Sequence, residues 1–449
     1  MVTALLILTL VSVEAVEALP MATLTPGEFY FRVEGQPTFL LGRNPTGWQV
    51  EQFAPLLQWS EESGERLARI HVTIGWPMDA PPGEIDVAWE ARWDQVLDLA
   101  AQHGVYVVPV LGVWGQWNDG SQGEAWHFWD QNRYAADLGG PAQTPADLLG
   151  DTECRRLWLQ WLEALVRRWG GRANILAWEA FSELDLITGS SEDAAVGFMS
   201  CAAAVIRAAD PQRRPVTASL AGTNEWPRLF ASDALDLVQV HPYGADLSDR
   251  VLASVRARHA RYGKPVLIGE CGLTGSPPAG SLAEAPRAAI GINHAIWAAV
   301  VSGALNGRML WWEDGYDQYE RLELRARYRT ASVPVARFLA STDFGGMAPL
   351  EAQGSADVTG AALSSDRLVL AWFRDAQCQA PDWPIRDIIG ATAVLRPPFH
   401  TPGVTVEYWD TRAGGRLSTT SLSLPRGPLT VPLPLFRDSV ALKLVPADP

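Results

Sequence analysis

Cysteine is scarce in this chain, and its placement excludes several kinds of site. The 449 residues include four cysteines, Cys154, Cys201, Cys271 and Cys378. None of them forms the paired spacing of a zinc or thiol redox motif. The chain also lacks a Gly-rich phosphate loop, a nucleophile elbow and a His-x-His pair. We therefore expect four free thiols, no bound metal and no cofactor.

Basic residues are also fewer than acidic residues. Lys and Arg together number 36, against 51 Asp and Glu, which gives a formal net charge of −15. Nucleic-acid binding depends on basic patches that neutralise phosphates. The charge balance therefore argues against a nucleic-acid partner and fits a neutral ligand.

A long apolar run is missing as well. Residues 4–13 are apolar, but this stretch is too short and too interrupted for a membrane span. It has the character of an export signal with a cleavage site at residues 16–18, although no Lys or Arg precedes Arg32. We expect residues 1–28 to be an N-terminal segment with no membrane span in the mature protein. A secreted or cell-envelope location is favoured, with a cytoplasmic one as the alternative.

Tryptophan, by contrast, is abundant, with 20 residues. Trp161, Trp178 and Trp297 fall within apolar helix or strand patterns and are expected to pack in the core. A second group lies near predicted strand ends and in loops: Trp76, Trp114, Trp117, Trp126, Trp129, Trp226, Trp311 and Trp312. Flat aromatic rings with one polar atom suit a half-wet cleft and can stack on sugar rings. We expect roughly half of this second group to contact a ligand.

Strands and helices alternate through the first 345 residues. Predicted strands end near Gly42, Thr73, Leu111, Phe181, Leu220, Val240, Gly269 and Trp312. Helical patterns cover residues 51–64, 87–103, 151–169, 194–209, 247–262, 283–301 and 332–341. Eight strands alternating with helices predict an α/β fold, a TIM (β/α)8 barrel, over residues 29–345. From residue 346 to 449, short β runs separated by Pro, Gly, Asp and Ser predict a small all-β sandwich.

Two of the predicted barrel strands end in a glutamate. Residues 174–185 read NILAWEAFSELD, so Glu183 follows the fourth strand, and residues 264–272 read KPVLIGECG, so Glu270 follows the seventh. In this fold the chemistry lies at the carboxyl ends of the strands. Two carboxylates facing each other there can serve as acid/base and nucleophile on a glycosidic bond. A separation of about 5–5.5 Å gives retention, and one of about 6.5–9.5 Å gives inversion.

Each candidate also has a structural interpretation. A single strand-end glutamate more often caps a helix or joins a salt bridge than catalyses a reaction. Arg69 can be an ion-pair partner in the core, and Glu179 is interpreted as structural. His71 is more typical of a hydrogen-bonded barrel residue than of a metal ligand. Two glutamates in these strands, with a His-x-Tyr sequence between them, favour catalysis.

The ordered segments AWEAFSELD, HPYG, KPVLIGECG and MLWW resemble glycoside hydrolase clan A, nearest the family 5 cellulases and mannanases. The resemblance covers residues 29–341. It implies that Glu183 is the acid/base and Glu270 the nucleophile of a retaining mechanism. It further implies a carbohydrate substrate, mannan or glucan in type. The expected substrate-binding residues are Asn44, Arg69, Trp114, Trp117, Ser182, His241, Tyr243, Trp311 and Trp312.

Within this resemblance, Arg69 and Tyr243 support the nucleophile, His241 lines the site, and Trp311 or Trp312 forms the floor of the sugar site. One position departs from the family pattern, because Ser182 stands where Asn usually contacts the sugar 2-hydroxyl. This departure leaves a second hypothesis open: a catalytically weak barrel that binds carbohydrate without cleaving it. The sugar, the linkage and the oligomeric state are not fixed by the sequence.

Overall fold

The computed structural model describes residues 19–47, 49–73, 80–124, 126–150, 152–275, 281–313 and 326–447. The expected export signal and Trp76 lie outside these described residues. The described chain opens with an antiparallel hairpin of β1 (Phe31–Val33) and β2 (Gln36–Thr38). No helix in the described part is long and apolar enough to cross a membrane.

Eight parallel strands follow, and every residue in them is buried: β3 (Leu40–Arg43), β4 (Leu67–His71), β5 (Tyr106–Val110), β6 (Trp178–Phe181), β7 (Val216–Ala218), β8 (Val238–Val240), β9 (Val266–Ile268) and β10 (Asn306–Arg308). Burial on both faces is expected for strands that fill a barrel on one side and carry helices on the other. This explains why the sequence shows apolar runs here rather than strict alternation.

The described helices are α1 (Val50–Glu62), α2 (Val87–Gln102), α3 (Glu153–Trp169), α4 (Glu192–Ala209), α5 (Pro227–Ala231), α6 (Leu247–Tyr262), α7 (Ala288–Ser302) and α8 (Val333–Leu339). Side-chain caps start several of them. The Asp86 carboxylate accepts from two backbone N–H groups at the start of α2, and the Ser191 hydroxyl accepts from Ala194 at the start of α4. Gly263 and Gly303 end α6 and α7 with φ of 60° and 96°, a conformation that glycine adopts freely.

The strands close into a ring. Six of them form one sheet in the order β10-β3-β4-β5-β6-β7, and β8 pairs with β9. Parallel bridges between Val266 and Ala304 and between Cys271 and Leu310 join the β9 side to the β10 side. On the other side, the Asp236 amide donates to the Val216 carbonyl at 2.8 Å, which links β7 to the start of β8. The predicted (β/α)8 barrel is confirmed.

The eighth strand is shorter than predicted. Its apolar residues continue to Trp312, but β10 ends at Arg308. Arg308 and Met309 have φ of 74° and 36°, so the extended conformation is lost there. Trp311 and Trp312 therefore lie beyond the regular strand, above the barrel mouth.

Two antiparallel sheets follow the barrel. One has six strands, in the order β11 (Ala348–Leu350), β13 (Val358–Ser364), β14 (Val369–Asp375), β19 (Ser439–Pro446), β16 (Gly403–Asp410) and β17 (Arg416–Ser423). The other has three, in the order β12 (Ala352–Gly354), β15 (Thr392–Leu395) and β18 (Leu429–Pro432). An apolar cluster that includes Phe373, Val406 and Val431 belongs to both sheets. The predicted β-sandwich is confirmed, while its boundary at residue 346 stays a prediction.

The sandwich packs against α7 of the barrel. The Trp297 indole N–H donates to the Thr411 carbonyl at 3.0 Å, and the His294 and Trp372 rings lie 5.5 Å apart. Nearly all of α7 is buried, because the barrel covers one side and the sandwich the other. This accounts for a helix without a polar face.

Candidate active site

Both predicted glutamates lie at the mouth of the barrel, each two residues after the end of a strand. Glu183 follows β6 and Glu270 follows β9. Glu183 has φ of 59° and ψ of 58°, a left-handed conformation that is rare for a residue with a side chain. Its backbone N–H donates to the Ser219 hydroxyl at 3.0 Å, which fixes this conformation. Backbone strain of this kind clusters at functional sites.

The two carboxylates lie close together with a histidine beside them. One side-chain oxygen of Glu183, one of Glu270 and a ring nitrogen of His241 all lie within 4.8 Å of one another. The side chains of Glu183 and Glu270 are 13% and 7% exposed, and that of His241 is fully buried. The carboxylates therefore face each other across a narrow, largely dry space.

Glu270 is held ionised by three groups. Arg69 Nη1 donates to Oε1 at 2.7 Å, and the Tyr243 hydroxyl donates to Oε2 at 2.6 Å. Burial raises the pKa of the Glu270 carboxyl, but the charges of His241 and Arg69 outweigh it and hold the pKa well below its ordinary value. Glu270 is therefore an ionised carboxylate in fixed orientation, which is the state a nucleophile needs.

Glu183 is shifted in the opposite direction. Burial raises its pKa, the hydrogen bond with His241 lowers it, and the negative charge of Glu270 raises it again. The net pKa of Glu183 lies above its ordinary value. His241 Nδ1 lies 2.9 Å from Glu183 Oε1. Two neighbouring carboxyls whose pKa values are pushed apart form an acid and a base in one site.

Arg69 connects Glu270 to β6, the strand that precedes Glu183. Its Nε and Nη2 donate to the two oxygens of Glu179 at 2.6 and 2.7 Å, while Nη1 donates to Glu270. All three side chains are buried. The Ser219 hydroxyl donates to Glu179 at 3.1 Å and accepts from the backbone of Glu183. A continuous hydrogen-bonded chain therefore runs from Glu270 through Arg69, Glu179 and Ser219 to Glu183.

Ser182 belongs to this chain. Its hydroxyl accepts from Arg69 Nη2 at 2.8 Å, and the residue is buried. The Ser182 hydroxyl is therefore occupied by its hydrogen bond with Arg69.

Asn44 contacts backbone rather than the carboxylates. Its Nδ2 donates to the carbonyls of Gly269 and Met309, both at 3.0 Å. The side chain therefore fixes the ends of β9 and β10 relative to each other, directly below Glu270.

The predicted tryptophans fall into two groups. Trp311 lies at the mouth, with its ring 5.0 Å from that of His71 and 6.5 Å from that of Trp312. Trp114 packs against Trp126 in the loop after β5. Trp117 is buried in the same loop, against Trp129 and Tyr134, and it lines a separate cavity of about 140 Å³ with Thr73 and Trp161. The carboxylates do not line that cavity.

Glu183, His241 and Glu270 are also spaced as metal ligands can be. Both oxygens of Glu270 are already engaged, one by the Arg69 guanidinium and one by Tyr243. A cation there would face the positive charge of Arg69 at close range, and the arginine already neutralises the carboxylate. The donor set therefore fits carboxylate catalysis better than metal binding.

Two residues of the hydrogen-bonded chain from Glu270 to Glu183 are not predicted as site residues by the sequence. The sequence interpretation of Glu179 is structural, and no sequence pattern points to Ser219. Glu179 could have been recognised, since a carboxylate inside a buried strand requires a cationic partner, and Arg69 is a cation inside another buried strand, β4, which β5 separates from β6. The sequence offers no comparable signal for Ser219.

The comparisons with known proteins concern the fold. No protein-family model matches the chain, and no curated sequence does. A solved structure titled glycoside hydrolase has a TM-score of 0.65 at 12% identity and covers 95% of this chain and 97% of its own. A glycoside hydrolase family 5 structure from Bacteroides vulgatus has a TM-score of 0.61 at 13% identity, covering 95% and 93%.

A third solved structure, an endo-1,4-beta-mannanase from Rhizomucor miehei, has a TM-score of 0.51 at 13% identity and covers 70% of this chain and 97% of its own. The first two cover nearly the whole chain, so the sandwich as well as the barrel is shared with them. This protein has the fold of glycoside hydrolases of the family 5 type, a (β/α)8 barrel followed by a β-sandwich.

Proposed function

We propose that the protein is a retaining β-glycoside hydrolase that cleaves a β-linked glycan or oligosaccharide of mannan or glucan type. The observation that carries this proposal is the facing pair of carboxylates with oppositely shifted pKa values, Glu270 lowered and Glu183 raised. Their facing oxygens lie within 4.8 Å of each other. That spacing supports the short carboxyl separation of about 5–5.5 Å in retaining enzymes over the wider one of about 6.5–9.5 Å in inverting enzymes.

The first step follows from the protonation states. Glu183 donates its proton to the glycosidic oxygen while the Glu270 carboxylate attacks the anomeric carbon, which releases the leaving group and forms a glycosyl ester. Arg69 and Tyr243 keep Glu270 ionised and oriented before the attack.

The second step follows from the loss of charge at Glu270. Formation of the ester removes the negative charge that raises the pKa of Glu183. The pKa of Glu183 then falls, and the residue can accept a proton from water as that water attacks the anomeric carbon, which breaks the ester bond and restores the Glu270 carboxylate. The same carboxyl thus acts first as acid and then as base.

The substrate class rests on the aromatic residues near Glu270. The Trp311 ring lies 5.0 Å from that of His71, whose Nε2 lies 3.6 Å from Glu270, and Trp312 lies next to Trp311. Aromatic rings stack on sugar faces. A mannan- or glucan-type substrate is proposed because the fold is shared with a solved endo-1,4-beta-mannanase and because the sequence resembles cellulases and mannanases.

The first experiment is turnover of a panel of aryl β-glycosides, β-mannan and β-glucan by the wild type and by Glu270→Ala and Glu183→Ala. We expect wild-type turnover that falls by at least a thousandfold in Glu270→Ala. With a dinitrophenyl glycoside and added azide, Glu183→Ala should give the β-glycosyl azide, because azide attacks the glycosyl-enzyme. Glu270→Ala should give the α-azide, because azide takes the place of the missing carboxylate.

No turnover by the wild type, together with sugar binding retained in both variants, would contradict the proposal and favour the non-cleaving carbohydrate-binding barrel. Identical azide products from the two variants would contradict the assignment of roles.

A further inference from the structure

Gln239 is a buried polar residue that the proposed mechanism does not use. It lies in the middle of β8, two residues before His241, so the two side chains project from the same face of the strand. Gln239 is 1% exposed and His241 is fully buried. Because His241 faces both carboxylates at the mouth through Nδ1, Gln239 lies one layer below the site, inside the barrel.

The hydrogen bonds of Thr217 fix the orientation of the Gln239 amide. The Thr217 hydroxyl donates to the Leu237 carbonyl at 3.1 Å, so its single proton is in use. The same hydroxyl oxygen accepts from Gln239 Nε2 at 3.3 Å. The amide nitrogen must face Thr217, because the amide oxygen cannot donate. The amide oxygen, Oε1, therefore points away from Thr217 and is free to accept elsewhere.

Gln239 Oε1 and the second ring nitrogen of His241 border the same small space. A Cβ added at Gly269 would lie 2.1 Å from Gln239 Oε1 and 2.6 Å from His241 Nε2. Both atoms are buried, and neither has a hydrogen-bond partner among the residues that the structure describes. Buried polar atoms are almost always paired. A hydrogen bond between these two atoms satisfies both, and the absence of a side chain at Gly269 leaves room for it.

Charged groups surround the other side of the His241 ring. Nδ1 lies 2.9 Å from Glu183 Oε1 and 3.7 Å from Glu270 Oε2. Glu179 is a third carboxylate that interacts with His241, and Arg69 is the opposing cation. Burial and the charge of Arg69 lower the pKa of His241, but Glu270 and Glu183 outweigh them and raise it. The carboxylates therefore favour a proton on Nδ1.

We propose that Gln239 is a positioning residue whose Oε1 accepts a hydrogen bond from His241 Nε2, so that both ring nitrogens of His241 carry a proton. The two atoms border one point closely, and a small rotation of the amide brings them into hydrogen-bond geometry. An amide oxygen only accepts, so it favours a proton on Nε2 while the carboxylates favour one on Nδ1. Gln239 thereby keeps His241 an imidazolium. Its part in catalysis rests on the proposed function.

The first measurement uses the unmodified protein. The ¹⁵N signals of the His241 ring are assigned by their absence in His241→Asn. At neutral pH both nitrogens should have the chemical shift of a protonated nitrogen. A bare Nε2 in the wild type would overturn the contact, whether or not the protein cleaves any sugar.

Two variants separate the acceptor from the rest of the Gln239 side chain. Gln239→Met has a similar size but no acceptor, and the acid dissociation constant of His241 should rise about tenfold or more. Gln239→Glu keeps an acceptor next to Nε2 and loses the amide donor, so the ring should remain doubly protonated. An acid dissociation constant that stays unchanged in Gln239→Met would overturn the contact.

The pH profile of kcat/KM tests whether Gln239 acts through His241. In Gln239→Met the acid limb should stay, because His241 is charged at low pH in both proteins. The basic limb should move to higher pH, because a neutral His241 no longer lowers the pKa of Glu183. In a His241→Asn background, Gln239→Met should move neither limb. An equal fall of kcat/KM in both backgrounds with unmoved limbs would assign Gln239 a purely structural role and overturn the proposal.

The two proposals fail in different ways. If the wild type cleaves no glycoside, the proposed function fails, and the ¹⁵N signals of His241 still decide the contact with Gln239. If the wild type is active and Nε2 is bare, the contact alone is rejected.

Discussion

His241 is the residue that acts on both carboxylates at once. Its Nδ1 lies 2.9 Å from Glu183 Oε1 and 3.7 Å from Glu270 Oε2. Burial lowers the pKa of His241, but the neighbouring carboxylates outweigh this and leave the pKa above its ordinary value. The positive charge of His241 lowers the pKa of both glutamates, and it is the leading favourable charge at Glu270. The pH range of activity is therefore set in part by this one imidazole.

Replacing His241 with asparagine removes the charge while leaving an amide donor toward Glu183. The pKa of both glutamates should then rise. In the proposed mechanism, activity needs Glu270 ionised, so the acid limb of kcat/KM should move to higher pH. Activity also needs Glu183 protonated, so the basic limb should move the same way. The acid limb should move further, because the charge of His241 matters more at Glu270.

The measurement is the pH profile of kcat/KM for the wild type and His241→Asn. His103→Asn is the matched control, since His103 lies outside the barrel beside Glu61. It should leave both limbs in place. A profile of His241→Asn that is lower in height but unshifted would show that the charge does not act on the carboxylates.

At the scale of the strands, the order and burial of the barrel elements could be predicted from the sequence, because apolar runs bounded by turn residues occur at regular intervals. The ends of β6 and β9 could be predicted too, and they put Glu183 and Glu270 at one mouth. The side-chain network beneath them could not be predicted. The contact between Glu179 and Arg69 depends on the register between strands, which the pattern of a single sequence does not contain. The burial of Trp117 depends on the path of its loop, which the pattern does not contain either.

The pair of Arg69 and Glu179 joins β4 to β6 across the barrel interior. Replacing Glu179 with glutamine removes the charge from a buried ion pair and should lower the free energy of unfolding by about 3 kcal/mol. This loss of unfolding free energy lies at the lower end of the range for broken buried ion pairs, because Glu270 still neutralises Arg69. Since Arg69 also loses its bidentate clamp, kcat/KM should fall about tenfold or more.

Thermal unfolding and steady-state kinetics of Glu179→Gln test this prediction. Glu163→Gln is the matched control, because Glu163 forms an exposed pair with Arg167 on α3. That change should alter the unfolding free energy by less than about 0.5 kcal/mol and leave kcat/KM unchanged. Equal behaviour of the two variants would show that Glu179 does not support the orientation of Arg69 and Glu270.

On the scale of the whole molecule, the barrel and the sandwich share one packed interface. A single apolar cluster includes the barrel core together with Trp372 and Trp383 of the sandwich. Hydrogen bonds reinforce the contact, from Trp297 to the Thr411 carbonyl and from Arg374 to Asp249. We interpret the sandwich as a brace for α7, the helix that follows the strand bearing Glu270.

Gly291 tests this interpretation, because it lets α7 approach the sandwich. A Cβ added at Gly291 would lie 2.6 Å from the Trp383 ring, which is too close for two carbon atoms. Trp383 is buried and cannot move aside without opening the interface. We expect Gly291→Ala to lower the free energy of unfolding by about 1–3 kcal/mol, as overpacking does in other cores.

Gly197→Ala is the matched control, since Gly197 lies in helix α4, is exposed and has no atom within 4 Å of an added Cβ. It should stabilise the protein by about 0.5–1 kcal/mol, because alanine favours the helix. If the sandwich braces α7, Gly291→Ala should also lower kcat/KM, whereas Gly197→Ala should not. A loss of stability in Gly291→Ala with unchanged kcat/KM would mean that the sandwich stabilises the chain without positioning Glu270.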